Sequence, residues 1–148
     1  MDFESKQIPP PRDWERFEEI CLALWQEIWA DPLAMKNGRR GQKQSGVDIY
    51  GRPSGTDSFS GIQCKGKDQG YGGVLRFAEV VEEVQKAGGF SPCLASFIIV
   101  TTAPRDVQLQ RQIRELSEER TVAGYFSVTV LAWEDVQSLI GRHRPVLE

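Results

Sequence analysis

The sequence predicts an α/β protein, a central mixed β-sheet flanked by helices. Two observations carry this. Two short strand-like stretches, GVDIYGR and FSGIQCK, are separated by the turn-rich PSGTDS, which reads as a hairpin. Beyond the hairpin, helical and strand periodicities alternate to the C-terminus, giving the order α-β-β-α-β-α-β-α. A hairpin followed by such alternation is the mark of a mixed sheet with helices packed on it.

Each element has its own signal. Residues 1–12 hold three consecutive prolines, Pro9, Pro10 and Pro11, and read as an extended lead-in. Asp13 caps a first helix expected over 13–30, whose apolar stripe is Trp14, Phe17, Cys21, Leu24, Trp25 and Ile28. Pro32 follows its end. The stretch NGRRGQKQSG reads as a loop. Strands are expected over 46–52 and 59–65. The glycine-rich KDQGYGG leads into a second helix at 74–87, stopped by Gly88 and Gly89. The apolar run ASFIIVTT, 95–102, fits a buried interior strand. Thr101 and Thr102 at its end are expected to be exposed polar groups. A third helix at 105–120, capped by Asp106, precedes a last strand at 125–131 and a short helix at 133–140.

Composition narrows the function classes. The chain has 148 residues, 40% of them hydrophobic, with four Trp and seven Phe. That suffices for one domain with a real core, here expected over 13–148. No apolar run approaches the roughly 20 residues that cross a bilayer, and the acidic, proline-rich start lacks the features of a signal peptide. The expectation is a cytoplasmic protein with no membrane partner. Three cysteines, Cys21, Cys64 and Cys93, fit no zinc spacing and read as reduced thiols, two of them in the core. The single histidine, His143, argues against Ser-His, Cys-His and His-rich metal chemistry. Any catalysis would then run on carboxylates and lysine, with a hard metal as an optional addition. The net charge of -3 hides a local contrast. Between Pro32 and Val47 there is no acid, but Lys36, Arg39, Arg40 and Lys43 occur there, a candidate phosphate-contacting loop. Lys67 is a further candidate, with Gln42, Gln44 and Ser45 behind it. Tyr71 and its flanking glycines suggest a substrate-side loop.

Strand alternation assembles the polar set. If Val47 and Ile49 share one face, Asp48 and Tyr50 take the other; Ile62 and Cys64 likewise oppose Gln63 and Lys65. Asp48, Gln63 and Lys65 then converge on one polar rim. On the first helix, Glu18 falls about 20° from Trp25 and turns inward, whereas Glu19 faces solvent. An inward glutamate needs a partner, a cation or Lys65. Taken singly, GxD or QxK is more often a turn or an exposed strand; the ordered set is the stronger signal.

The set FEEIC…GVDIYG…IQCKGK resembles the PD-(D/E)XK nuclease superfamily, and within it the Mrr-type branch, where Gln stands in place of the acid before the lysine. The resemblance runs on through EVVEEVQKA, FIIVTTAPRD and the last strand. It is similar to the N-terminal nuclease effector domains of bacterial anti-phage defence proteins. The resemblance implies a restriction-endonuclease-like core and metal-dependent cleavage of double-stranded DNA with low sequence specificity. It implies Asp48 as the main metal ligand, Gln63 and the Cys64 backbone carbonyl as further ligands, and Glu18 completing the site directly or through water. Lys65 would orient the attacking water or stabilise phosphate charge. Mg2+ is the implied cofactor, with Mn2+ able to substitute. The neutral Gln63 implies weaker metal affinity than an acid would give. The resemblance, with the terminal Leu147-Glu148, also implies a piece of a longer protein with fused sensor or NTPase domains, active as a homo-oligomer. An RNA or tRNA nuclease, and a non-catalytic nucleic-acid-binding or assembly module of the same fold, are the competing functions.

Overall fold

A computed structural model describes residues 13–39, 41–67 and 73–143. The extended lead-in over 1–12, Arg40, Tyr71 and the Leu147-Glu148 end lie outside the described residues. The elements run α1 (Trp14–Ile28), β1 (Met35–Lys36), β2 (Ile49–Gly51), β3 (Ser60–Lys65), α2 (Phe77–Ala87), β4 (Ser96–Thr101), α3 (Val107–Val122), β5 (Ser127–Leu131) and α4 (Trp133–Arg142). The five strands form one sheet in the order β1-β2-β3-β4-β5. The first two pairings are antiparallel and the last two parallel, so the sheet is mixed.

Both faces of the sheet are covered. On one face, Phe17, Cys21, Leu24 and Trp25 of α1 and Trp133, Val136 and Ile140 of α4 pack on Ile49, Ile62, Cys64 and Val100. On the other, Val80, Val84 and Ala87 of α2 and Leu109 and Ile113 of α3 pack on Phe97, Ile99 and Val128. This is why β4 reads as an unbroken apolar run: a strand sandwiched between helix layers needs apolar groups on both sides. Caps end the helices as the sequence suggests. Asp13 accepts from the Glu15 N–H, Asp106 accepts from the Leu109 N–H, and Gly88 closes α2.

Several expectations are corrected. The loop before Asp48 contains a strand, β1, which pairs Met35 with Tyr50 and Lys36 with Ile49. Two residues give no periodicity to read. The first hairpin strand, expected over 46–52, is the shorter β2, because Ser45 and Gly46 adopt positive φ of 54° and 72° and break the extended backbone. The chain bends at Asp48, so Val47 and Ile49 do not share a face: Val47 packs with α2 and Ile49 with α1. The second helix starts at Phe77 rather than 74, where the Glu79 carboxylate accepts from the Arg76 N–H. Thr101 and Thr102 are buried, not exposed. The hydroxyl of Thr101 accepts from the Ala103 N–H, and that of Thr102 joins both backbone groups of Lys67. Trp14 is 38% exposed rather than core. Its ring lies against the backbone of Gly66, where an added Cβ would stand 2.7 Å from the ring.

Packing at the hairpin leaves equally little room. A Cβ on Gly51 would meet the Ala34 Cβ at 2.7 Å and the Trp29 ring at 2.9 Å. Gly51→Ala is expected to destabilise the fold by about 1–3 kcal/mol through overpacking. A urea titration would show this as a lower midpoint at unchanged slope. An unchanged midpoint would mean that the β1–β2 edge yields freely.

Candidate active site

The polar residues gather where the β2–β3 ladder stops. The ladder is registered from Gly51↔Ser60 to Ile49↔Ile62. One residue earlier, the Asp48 N–H donates to the Ile62 carbonyl at 2.8 Å, and the Asp48 carbonyl accepts from the Asn37 N–H at 2.8 Å. Asp48 is thus fixed on both sides by backbone. Its side chain takes over the next donor of β3: the Cys64 N–H donates to Asp48 Oδ2 at 2.8 Å. The carboxylate is half-buried beside residues 63–65.

Its acidity records that position. Burial pushes the Asp48 carboxyl up to about 6, from an ordinary 3.8. The Cys64 hydrogen bond works against the shift, and the charges of Glu18 and Glu83 add to it. Asp48 therefore lies within the electrostatic reach of one acid on α1 and one on α2. Glu18 is half-buried and Glu19 exposed, as the helical wheel predicts. The Cys64 thiol contacts Cys21, and that contact together with burial holds it protonated. Its side chain belongs to the core, while its backbone belongs to the site.

Gln63 and Lys65 share the other face of β3 and meet a residue the sequence reading passed over. Glu83 of α2 is 4% exposed. Its Oε2 accepts from Gln63 Nε2, its Oε1 accepts from Lys65 Nζ at 3.0 Å, and Lys86 Nζ stands 3.5 Å away. Burial alone would raise its carboxyl, but the bonds from Lys65 and Gln63 and the charges of Lys65 and Lys86 outweigh it and hold it below the usual carboxylate range. Glu79, one turn earlier, lies 3.7 Å from Lys65 Nζ and 2.6 Å from Lys67 Nζ. Despite partial burial, the Lys67 bond leads the effects that lower its carboxyl. The wheel that turned Glu18 inward also finds Glu83, which falls about 40° from Ala87 on the buried stripe of α2.

Gln63 carries the observation that tests a metal. Its amide nitrogen is taken by Glu83, while its Oε1 is buried and has no hydrogen-bond partner among the described residues. A buried unpartnered oxygen is costly in a native structure and calls for a ligand, water or ion. Asp48, whose carboxyl is raised by burial and by the charges of Glu18 and Glu83, lies on the neighbouring strand end, and a hard cation fits this donor chemistry. Among the described residues, no three His, Cys, Asp or Glu side chains converge in a way that could hold a metal. The fitting donor set is therefore Asp48 with neutral oxygens, Gln63 Oε1 and the Cys64 carbonyl, with Glu18 nearby.

The basic loop is folded upon itself. Asn37 Nδ2 donates to the carbonyls of Gln44 and Val47 at 3.1 and 2.8 Å, Gln44 Nε2 donates to the Asn37 carbonyl, and Gln42 Oε1 accepts from the Arg39 N–H. Arg39 and Lys43 are exposed and Lys36 is half-buried, and none of the three forms an ion pair among the described residues. Lys67 differs, being engaged by Glu79. A separate, mostly apolar groove between α3 and α4, lined by Leu109, Ile113 and Val130 among others, includes none of Glu18, Asp48, Gln63 or Lys65.

No protein-family model matches the chain, and no curated protein matches it. Among solved structures, the chain is similar to the DNA modification-dependent restriction endonuclease AspBHI, with a TM-score of 0.55 and 17% identity. The match covers 90% of this chain and 32% of AspBHI, so the chain spans about a third of that protein's length. At this identity the likeness is one of fold: a five-stranded mixed sheet flanked by four helices, restriction-endonuclease-like. No helix among the described residues is long and apolar enough to cross a membrane.

The raised Asp48 carboxyl gives a pH-dependent prediction. Its folded value of about 6 lies above its ordinary 3.8. Its contribution to stability is thus fully present below the ordinary value and is lost as pH rises through 6. At pH 8 the ionised acid costs at most about 3 kcal/mol. Asp48→Asn keeps an oxygen for the Cys64 N–H and is expected to be more stable than wild type at pH 8, with the advantage fading toward pH 4. Urea titrations at both pH values check this. A variant less stable than wild type at pH 8 would overturn it.

Proposed function

We propose that the chain is a metal-dependent endonuclease domain of the PD-(D/E)XK type, Mrr-like, that hydrolyses phosphodiester bonds of double-stranded DNA. The observation that carries this reading is the buried Gln63 Oε1, without a hydrogen-bond partner among the described residues, one residue along β3 from the Cys64 N–H that holds the raised Asp48 carboxyl. The likeness in fold to AspBHI, a DNA modification-dependent restriction endonuclease, supports DNA as the substrate class. The domain, 13–148, belongs in this reading to a longer cytoplasmic defence protein and acts when assembled with further copies.

Mg2+ or Mn2+ would be held by Asp48, Gln63 Oε1 and the Cys64 backbone carbonyl, with Glu18 completing the set directly or through water. When bound, the ion supplies positive charge against the phosphate and makes water a better nucleophile. The chain's own groups do the rest. Asp48, locked by the Cys64 N–H and by the backbone bonds to Ile62 and Asn37, fixes where the ion sits. Lys65, steadied by Glu83, donates to the attacking water or to the phosphate oxygens as charge builds. Lys36, Arg39 and Lys43, which form no ion pair among the described residues, offer positive charge for backbone phosphates near Asp48, and Arg40 adds its charge by sequence. Lys67, held by Glu79, contributes through that pairing rather than as a free phosphate contact.

The test is plasmid cleavage with Mg2+ and with Mn2+, and an RNA substrate alongside. Asp48→Ala and Lys65→Ala are each expected to lower the cleavage rate by about 100-fold or more. Full activity in Lys65→Ala would sink the assignment. Metal-independent DNA binding with no cleavage by wild type would favour a binding module, and cleavage of RNA alone would move the substrate.

A further inference from the structure

We infer that Glu83 is a positioning residue of this site: it decides which way the Gln63 amide points, holds Lys65 beside it, and accounts for an amide rather than an acid at position 63. This rests on the metal-dependent reading above. An amide has two ends of nearly equal size, one a donor and one an acceptor, and nothing but its partners selects between them. Glu83 Oε2 accepts from Gln63 Nε2 and so selects the nitrogen. The oxygen is left turned elsewhere, buried and without a hydrogen-bond partner among the described residues. The second oxygen of the same carboxylate accepts from Lys65 Nζ at 3.0 Å. Gln63 and Lys65 are two apart on β3, on one face of the strand, so a single carboxylate spans both.

The burial of Glu83 makes the selection firm. At 4% exposure, water cannot replace a lost partner. An acid at position 63 would set a second carboxylate within hydrogen-bond distance of this one, and two like charges there cannot both ionise freely. The amide avoids the clash and still offers one oriented oxygen to a cation on Asp48. The negative charge that meets Lys65 is thus supplied from α2, by Glu83.

The experiment is a charge swap. Wild type, Glu83→Gln, Gln63→Glu and the double variant are compared for Mn2+ affinity by paramagnetic resonance, for metal-free unfolding midpoint, and for plasmid cleavage. Loss of a partner that orients a ligand typically weakens metal binding by about 10- to 100-fold, and that loss is expected for Glu83→Gln. Gln63→Glu is expected to lower the metal-free midpoint by opposing two carboxylates. The double variant restores the hydrogen bond with its polarity reversed. It is expected to recover both the midpoint and an Mn2+ affinity at least equal to wild type. If Gln63→Glu does not fold, refolding in the double variant is the same result. Unchanged Mn2+ affinity in Glu83→Gln, with wild type binding metal and cutting DNA, overturns this inference alone. Additive effects of the two substitutions overturn it as well. A wild type that neither binds Mn2+ nor cleaves sinks the metal reading, and this inference with it.

Discussion

A carboxylate closed off from water organises one end of this molecule. Glu83 sits on the packing face of α2, and a buried charge must be met by partners or it destabilises the fold by several kcal/mol. The partners come from β3, through Gln63 and Lys65, and from its own helix, through Lys86. Glu79 extends the pairing to Lys67, whose backbone is tied on both sides to the Thr102 hydroxyl at the end of β4. The chain of contacts therefore runs from β3 across α2 and back to the sheet. It ties the first parallel crossover to its strands by polar contacts where an apolar seal would serve stability alone.

That arrangement is poor engineering for stability and good engineering for a charged ligand. Glu18 of α1 and Glu83 of α2 both act electrostatically on Asp48, whose carboxyl burial has already raised. Lys65 is drawn to Glu83 and Glu79, which leaves Asp48 with a backbone N–H as its recorded hydrogen-bond donor. A structural site would relieve this by trading an acid for an amide or an apolar group. Proteins retain such unrelieved charge where activity depends on it.

Much of the fold was legible because periodicity and turn chemistry agreed. The hairpin, the unbroken apolar β4 and the capped helices each follow from a local rule that tertiary packing did not override. What escaped notice had no local signature. β1 is two residues long. The faces of Val47 and Ile49 diverge because the chain bends at Asp48 between them, and alternation holds only along continuous strand. Thr101 and Thr102 look like surface groups in sequence, but each hydroxyl satisfies a neighbouring backbone group, which permits burial. Within the site, Asp48, Gln63 and Lys65 were readable as an ordered set, and Glu18 from its place on the wheel. Glu83 was equally visible by that wheel, yet it sits in VEEV, where one acid beside another reads as a solvated face until its partners on β3 are known.

The basic loop shows how side-chain chemistry limits what a surface can recognise. Reading a base edge takes a side chain with free donors and acceptors in fixed geometry, most often Arg, Asn or Gln. Here Asn37, Gln42 and Gln44 all have their amides bound within the loop, where they shape the backbone that delivers Asp48. The same bonds leave Arg39 and Lys43 facing solvent. What the loop presents outward is then positive charge, which binds phosphate whatever the sequence. The bonds that hold the loop also anchor the Asp48 carbonyl through the Asn37 N–H. The loop that carries the exposed Arg39 and Lys43 is thus the same loop that positions Asp48.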